Sequence, residues 1–286
     1  FSADEIKFVD NGGADILAAA NVDDDVTTAR INANGIETFD FTVAEDGTNG
    51  AAGITFDVRD AVGLTTFDVA VTADSSGTNV ATRDAAVTIS NLPNDAKVIL
   101  GGLDAHGTTY TATATIDAAV SGANTLTVTN KAAAGNLIIG DLDFGTTYTT
   151  LTIDQEADKN ITLTDVAATK ATTLNIGGAK AVSGTAIASA AMDLKTVDFS
   201  AATTISLDSN AGTIDVGTTA LSAAKLTTLN IVGDNTVDFG GSASSVTTLL
   251  NDVNGSTNTG AITFGTSVDF AQTSDITTGT GNDTIN

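Results

Sequence analysis

Apolar and polar residues alternate with period two over short stretches along most of the chain. The segments "NITLTD" (160–165), "TTISLDS" (203–209), "NTVDFGG" (235–241) and "AITFGT" (261–266) alternate cleanly and are bounded by Gly, Asn or Asp. Such alternation predicts short strands with one buried face, joined by tight turns. A longer unit is superimposed on it. A six-residue phrase recurs: an apolar residue, two residues mostly ending in Thr, then apolar, polar, apolar. Its copies are "IETFDF" (36–41), "LTTFDV" (64–69), "YTTLTI" (148–153), "ATTLNI" (171–176), "LKTVDF" (194–199) and "LTTLNI" (226–231), with a degenerate "VTTLLN" from Val246. The fourth positions are Phe39, Phe67, Leu151, Leu174, Val197, Leu229 and Leu249, separated by 28, 84, 23, 23, 32 and 20 residues. Since 84 is three times 28, fainter rungs are expected in the gap, with "AVTISNL", "NTLTVTN" and "NLIIGDL" as candidates.

Repetition at this period is the signature of a solenoid, where each unit buries its apolar stripe only against its neighbours. The predicted fold is therefore all-β: an elongated, parallel, β-helix-like β-solenoid of short strands. Its rungs should run to about 20–28 residues, within the range of known repeat periods. The fourth positions should point inward in register, with the cleanly alternating segments as second strands of each rung. An array of β-sandwich domains is the competing reading for the first half, where spacing is looser. The phrase also resembles a leucine-rich repeat, although only "TAIASAAMDL" (185–194) could suit a helix. Four segments follow: an acidic connecting segment (1–30), a β-rich domain with irregular repeats (31–135), a regular solenoid (136–276) and a distinct ending (277–286).

Composition narrows the function. The chain has 31 Asp but only 4 Glu, against 8 Lys and 3 Arg, for a net charge of -24. Solubility alone would be served equally by Glu, whereas Asp bonds local backbone in turns and is a common calcium ligand. So acidic a surface opposes binding to nucleic acid or anionic lipid and favours cations. No run approaches 18 consecutive apolar residues, so no membrane span or insertion is expected. Cysteine is absent and Pro93 is the single proline. Phe1 is not an initiator, which points to a processed product or a fragment.

Catalysis finds few candidates. His106 is the only histidine, beside a glycine turn, and there is no Cys and no G-x-S-x-G elbow. A carboxylate-based polysaccharide lyase would want sugar-stacking aromatics, yet the chain has no Trp and two Tyr, Tyr110 and Tyr148. The expectation is a protein that is not an enzyme. An adhesin or polysaccharide-binding solenoid is the alternative. An ice-binding solenoid would need T-x-T phrases recurring at fixed rung spacing on one face, and the sequence spacing does not provide them.

Cation chemistry is better represented. The ending "TGTGNDTIN" (278–286) follows the calcium-binding nonapeptide G-G-x-G-x-D-x-U-x, U being a large aliphatic. Gly279 and Gly281 take the second and third glycine positions, Asp283 the acid and Ile285 the aliphatic; Thr278 replaces the first glycine. Glycines open backbone angles that let carbonyl oxygens face a cation, Asp283 supplies charge, and Ile285 should begin a strand that buries its side chain. "DNGGADIL" (10–17) is a second candidate, with Asp15 in the acid position and Asp10 and Asn11 replacing glycines; a plain Asx/Gly turn accounts for it equally well. The run Asp23-Asp24-Asp25 suits either a solvated loop or calcium, and Asp141 and Asp143 could chelate or face water.

These features together resemble the region just upstream of the calcium-repeat array in bacterial S-layer proteins of the repeats-in-toxin (RTX) type, exported by type I secretion. The Asp-rich, Cys-free, Thr-rich phrases cover most of the chain, and the specific motif covers only its last nine residues. The resemblance implies a secreted, extracellular structural protein that assembles with copies of itself into a calcium-dependent lattice on the cell surface. Surface polysaccharide is a further partner class. It also implies Asp283 as a side-chain calcium ligand and Gly279 and Gly281 as carbonyl donors, with half a site in this chain because the following turn is missing.

Overall fold

The computed structural model describes residues 6–9, 13–23, 28–44, 54–72, 87–103, 110–118, 124–130, 137–144, 148–155, 161–178, 191–240, 246–266 and 268–286. Strands alternate strictly between two parallel sheets, so each rung gives one strand to each. The first sheet begins with β1 (Ile6–Val9), β3 (Ala29–Asn34), β5 (Ile54–Val62), β7 (Val87–Leu92), β9 (Tyr110–Ala118) and β11 (Leu137–Asp143). It continues with β13 (Ile161–Ala167), β15 (Ala191–Asp198), β17 (Thr213–Ser222), β19 (Val237–Phe239), β21 (Ile262–Phe264) and β23 (Thr284–Ile285). The second sheet holds β2 (Ile16–Asp23), β4 (Thr38–Ala44), β6 (Thr66–Thr72), β8 (Lys97–Leu103), β10 (Asn124–Asn130) and β12 (Tyr148–Asp154). Then come β14 (Thr173–Gly177), β16 (Thr204–Asp208), β18 (Thr228–Gly233), β20 (Val246–Asn258) and β22 (Val268–Thr277). With strands about 4.8 Å apart, the 12 strands of the first sheet make a stack roughly 50 Å long.

The predicted solenoid is thus the observed one. No helix occurs among the described residues, and the same two ladders run through 31–135, where the sandwich array was the alternative. Of the helix candidate "TAIASAAMDL", residues 191–194 lie in β15 and the rest fall outside the described residues. Rungs vary more than expected, from 20 residues between Leu250 and Phe270 to 33 between Ile54 and Val87. Loops absorb the difference while the strands stay paired.

One continuous core lies between the sheets. Rings from opposite sheets meet in it: Phe41 of β4 stacks on Phe56 of β5 at 5.2 Å, and Phe264 of β21 meets Phe270 of β22 edge-on at 5.4 Å. Phe39, Phe67, Leu151, Leu174 and Leu229 all point inward, as their phrase position predicts, and each is 0% exposed. The ladder pairs Leu151 with Leu174, Leu174 with Ile205, Ile205 with Leu229 and Leu229 with Val253.

That ladder corrects two assignments. Val197 is buried but belongs to the first sheet, where it pairs with Val166 and Leu221. Its expected place in the column is taken by Ile205 of "TTISLDS", a segment that looked like a second strand. Likewise Val253, and not Leu249, continues the column in β20. Period-two alternation sets which face of a strand is buried, but both sheets bury the same face pattern, so the pattern cannot assign a strand to a sheet.

The outer face of the second sheet carries the polar half of each phrase. Thr150, Thr173, Thr204 and Thr228 form one row, and Thr152, Asn175, Ser206 and Asn230 form the next. Threonine rows therefore do recur in register on one face, because loops compensate for uneven sequence spacing.

Corners from the second sheet back to the first are packed closely. Gly177 has φ +104°, and a Cβ there would lie 2.1 Å from the Asp208 carbonyl of the next rung. Asn258 is 0% exposed and donates from its amide to the Gly260 carbonyl at 2.6 Å, closing its own corner.

Candidate functional site

The C-terminal corner brings Gly279, Gly281 and Asp283 onto the preceding rung. Thr280 donates its N–H to the Asn258 carbonyl at 3.2 Å, and a Cβ at Gly281 would lie 2.1 Å from the Gly260 carbonyl. Glycine is required here because two backbones touch. Asp283 Oδ1 accepts the N–H of Ile262 at 2.9 Å, so this carboxylate caps the start of β21. Ile285 is the second residue of the short strand β23, after Thr284, and aligns with Phe264, but it is 51% exposed, so its side chain is not buried as expected.

The other predicted residues are spread out. Asp15 is half-buried behind Gly13, and its backbone N–H donates to Glu37 Oε2 at 2.9 Å. Asp23 ends β2, paired with Ala44, while Asp10, Asp25 and His106 lie outside the described residues. Asp143 is exposed at the end of β11. Tyr148 is buried in the core, so its ring offers no sugar platform. Among the described residues, no three Asp, Glu, His or Cys side chains converge on a point suited to a metal ion.

Acids do stack in file. Asp193 of β15 pairs with Asp215 of β17, which pairs with Asp238 of β19. All three occupy the outward positions of strands whose inward residues are Met192, Leu194, Ile214, Val216, Val237 and Phe239. Gly217 to Thr219 form a bulge in β17, since Leu194 pairs with Val216 while Thr196 pairs with Ala220. From that bulge Thr218 donates its hydroxyl to Asp193 Oδ1 at 2.8 Å. Asp215 is pushed up to about 6, first by burial and then by the charges of Asp238 and Asp193. Burial also raises Asp238, whose Oδ1 is enclosed without a hydrogen-bond partner. Sequence reasoning missed this column, although "AMDL", "TIDV" and "TVDF" each place an acid between two apolar residues.

A groove of about 430 Å³ opens on the outer face of the second sheet, across β12, β14, β16 and β18. Gly177 is its floor, and Asp154 and Asp208 stand one rung to either side. Thr152, Asn175, Ser206 and Asn230 form one bank, and Val232, 39% exposed, closes one end. Asn175 donates its amide to the Thr152 hydroxyl at 3.3 Å. Asp208 Oδ1 accepts the backbone and side-chain N–H groups of Asn210, at 3.0 and 2.7 Å, which leaves Oδ2 free.

No protein-family model matches this chain, and no curated protein or solved structure matches it at a significant level.

Proposed function

We propose that this chain is a structural, non-catalytic β-solenoid of an extracellular bacterial surface layer, whose copies are drawn together by calcium. The observation that carries the reading is the carboxylate column Asp193–Asp215–Asp238, on a chain of net charge -24. Like charges one rung apart repel, and partial burial adds a desolvation cost. A divalent cation relieves both at once, which monovalent salt does only weakly.

The donor set suits calcium, a hard ion that takes carboxylate, hydroxyl, carbonyl and water oxygens in flexible geometry. Adjacent pairs of the column, Asp193 with Asp215 or Asp215 with Asp238, would hold calcium against the first sheet, with waters or a neighbouring copy completing its coordination and the Thr218 hydroxyl beside Asp193. At the C-terminal corner Asp283 offers its second oxygen, in line with the RTX-type motif of residues 278–286. Extracellular modules bind calcium with dissociation constants of about 10⁻⁴ to 10⁻³ M, suited to an ion abundant outside cells. Neutralising these acids would also let like-charged copies approach within the roughly 10 Å over which they repel at 0.1 M salt.

The test compares calcium chloride with sodium chloride at equal ionic strength, following assembly by light scattering and electron microscopy. Ordered sheets or oligomers should form with calcium and disperse on chelation. Assembly that proceeds equally well in sodium with a chelator present would remove calcium from the mechanism.

A further inference from the structure

The groove over Gly177 is chemically unlike the acid column. Its bank presents groups that both donate and accept: the Asn175 and Asn230 amides and the Thr152 and Ser206 hydroxyls. Among the described residues, Ser206 and Asn230 make no side-chain hydrogen bond, so both are available to a ligand. Asp208 Oδ2 adds a free carboxylate oxygen, an acceptor suited to a pair of hydroxyl donors. Val232 supplies an exposed apolar surface at the end of the same groove. The volume falls within the range of small-ligand sites, about 300–1,000 Å³.

We propose that this groove binds a neutral saccharide, with sugar hydroxyls on the Asn/Ser/Thr bank and on Asp208, and the C–H face of a ring against Val232. Anionic ligands are opposed by Asp154, Asp208 and the charge of the whole chain. The amide N–H donors of Asn175 and Asn230 have no use to a cation, whereas groups that both donate and accept complement a ligand whose every hydroxyl does the same. The polar row extends beyond the groove at one end, since Asn230 pairs with the exposed Asn254. An extended glycan running along the solenoid axis would therefore meet a polar residue at each rung. Binding here belongs to the single solenoid and does not rest on calcium or on assembly.

The experiment uses isotope-labelled full chain in the presence of a chelator, titrated separately with maltose, cellobiose and lactose, with backbone and side-chain amide shifts followed by NMR. At least one sugar should give saturable shifts centred on Gly177, Gly178 and the Asn175 and Asn230 side-chain amides. Ser206→Tyr fills the groove from an outward position and should weaken that binding about tenfold or more with the melting temperature unchanged. Should Ser206→Tyr disturb folding, Asn230→Ala removes one bank residue and should weaken binding in the same sense. Absence of saturable shifts with all three sugars would overturn the proposal. So would shifts scattered over the whole face, or equal shifts at these residues with putrescine in place of sugar, which would mark a cation site.

Discussion

Asp283 and Ile262 are 21 residues apart in sequence and joined by one hydrogen bond, from the Ile262 N–H to Asp283 Oδ1 at 2.9 Å. The acid of the glycine-rich ending thus stitches two rungs together at a corner. Its charge and its capping role are separable. Asp283→Ala removes the acceptor and should cost about 1 kcal/mol, whereas Asp283→Asn keeps an oxygen in place and should cost less. Hydrogen exchange at the Ile262 amide should quicken in the alanine variant and much less in the asparagine variant.

Leu174 is wholly enclosed in the second-sheet column between Leu151 and Ile205. Leu174→Ala should cost about 2–5 kcal/mol through lost contacts and the cavity left behind. Leu174→Asp should cost more, because an unpaired charge enters the core. Chemical denaturation of both variants checks the order, and a Leu174→Asp protein as stable as the parent would refute the inward register.

The Asp215 carboxyl, held at about 6 by burial and by its neighbours Asp238 and Asp193, makes stability depend on pH. Its folded value lies above the unfolded one of 3.8, so the folded state binds more protons between those two values. Stability associated with this group is therefore full below about pH 4 and is lost as pH rises toward about 6. Allowing for partial exposure, the loss should be about 1–2 kcal/mol. Asp215→Asn should flatten this part of the profile and stabilise the protein at neutral pH. Calcium should raise the melting temperature of the parent more than that of Asp215→Asn; an equal rise would place the ion elsewhere.

Gly177 combines a positive φ with close backbone contact, so its substitution is doubly penalised. In Gly177→Ala the new methyl would meet the Asp208 carbonyl, and the backbone would sit in a region L-residues avoid. A loss of about 2–4 kcal/mol is expected, of the size typical for strain at a special backbone position. A melting curve indistinguishable from the parent's would mean that the corner relaxes freely.

The strand-rich character, the solenoid repeat and the inward residues of each phrase were legible in the sequence, since each depends on the local alternation of apolar and polar positions. The sheet to which each strand belongs was not. "LKTVDF" and "TTISLDS" alternate in the same way, yet Val197 lies in the first sheet and Ile205 in the second. That choice is made by hydrogen bonds to rungs 20–33 residues away, after loops of unequal length have been closed.

The candidate sites divide along the same line. The glycine-and-aspartate corner at Gly279, Gly281 and Asp283 is a contiguous motif, and its outline could be read directly. The Asp193–Asp215–Asp238 column and the groove between Asp154 and Asp208 draw one residue from each of several rungs. Their members are brought together only by parallel register, which stacks outward side chains about 4.8 Å apart regardless of their distance along the chain. The sequence by itself determined which residues face solvent and which face the core; only the tertiary ladder decided which of the outward residues became neighbours, because pairing between rungs is a non-local property of the backbone.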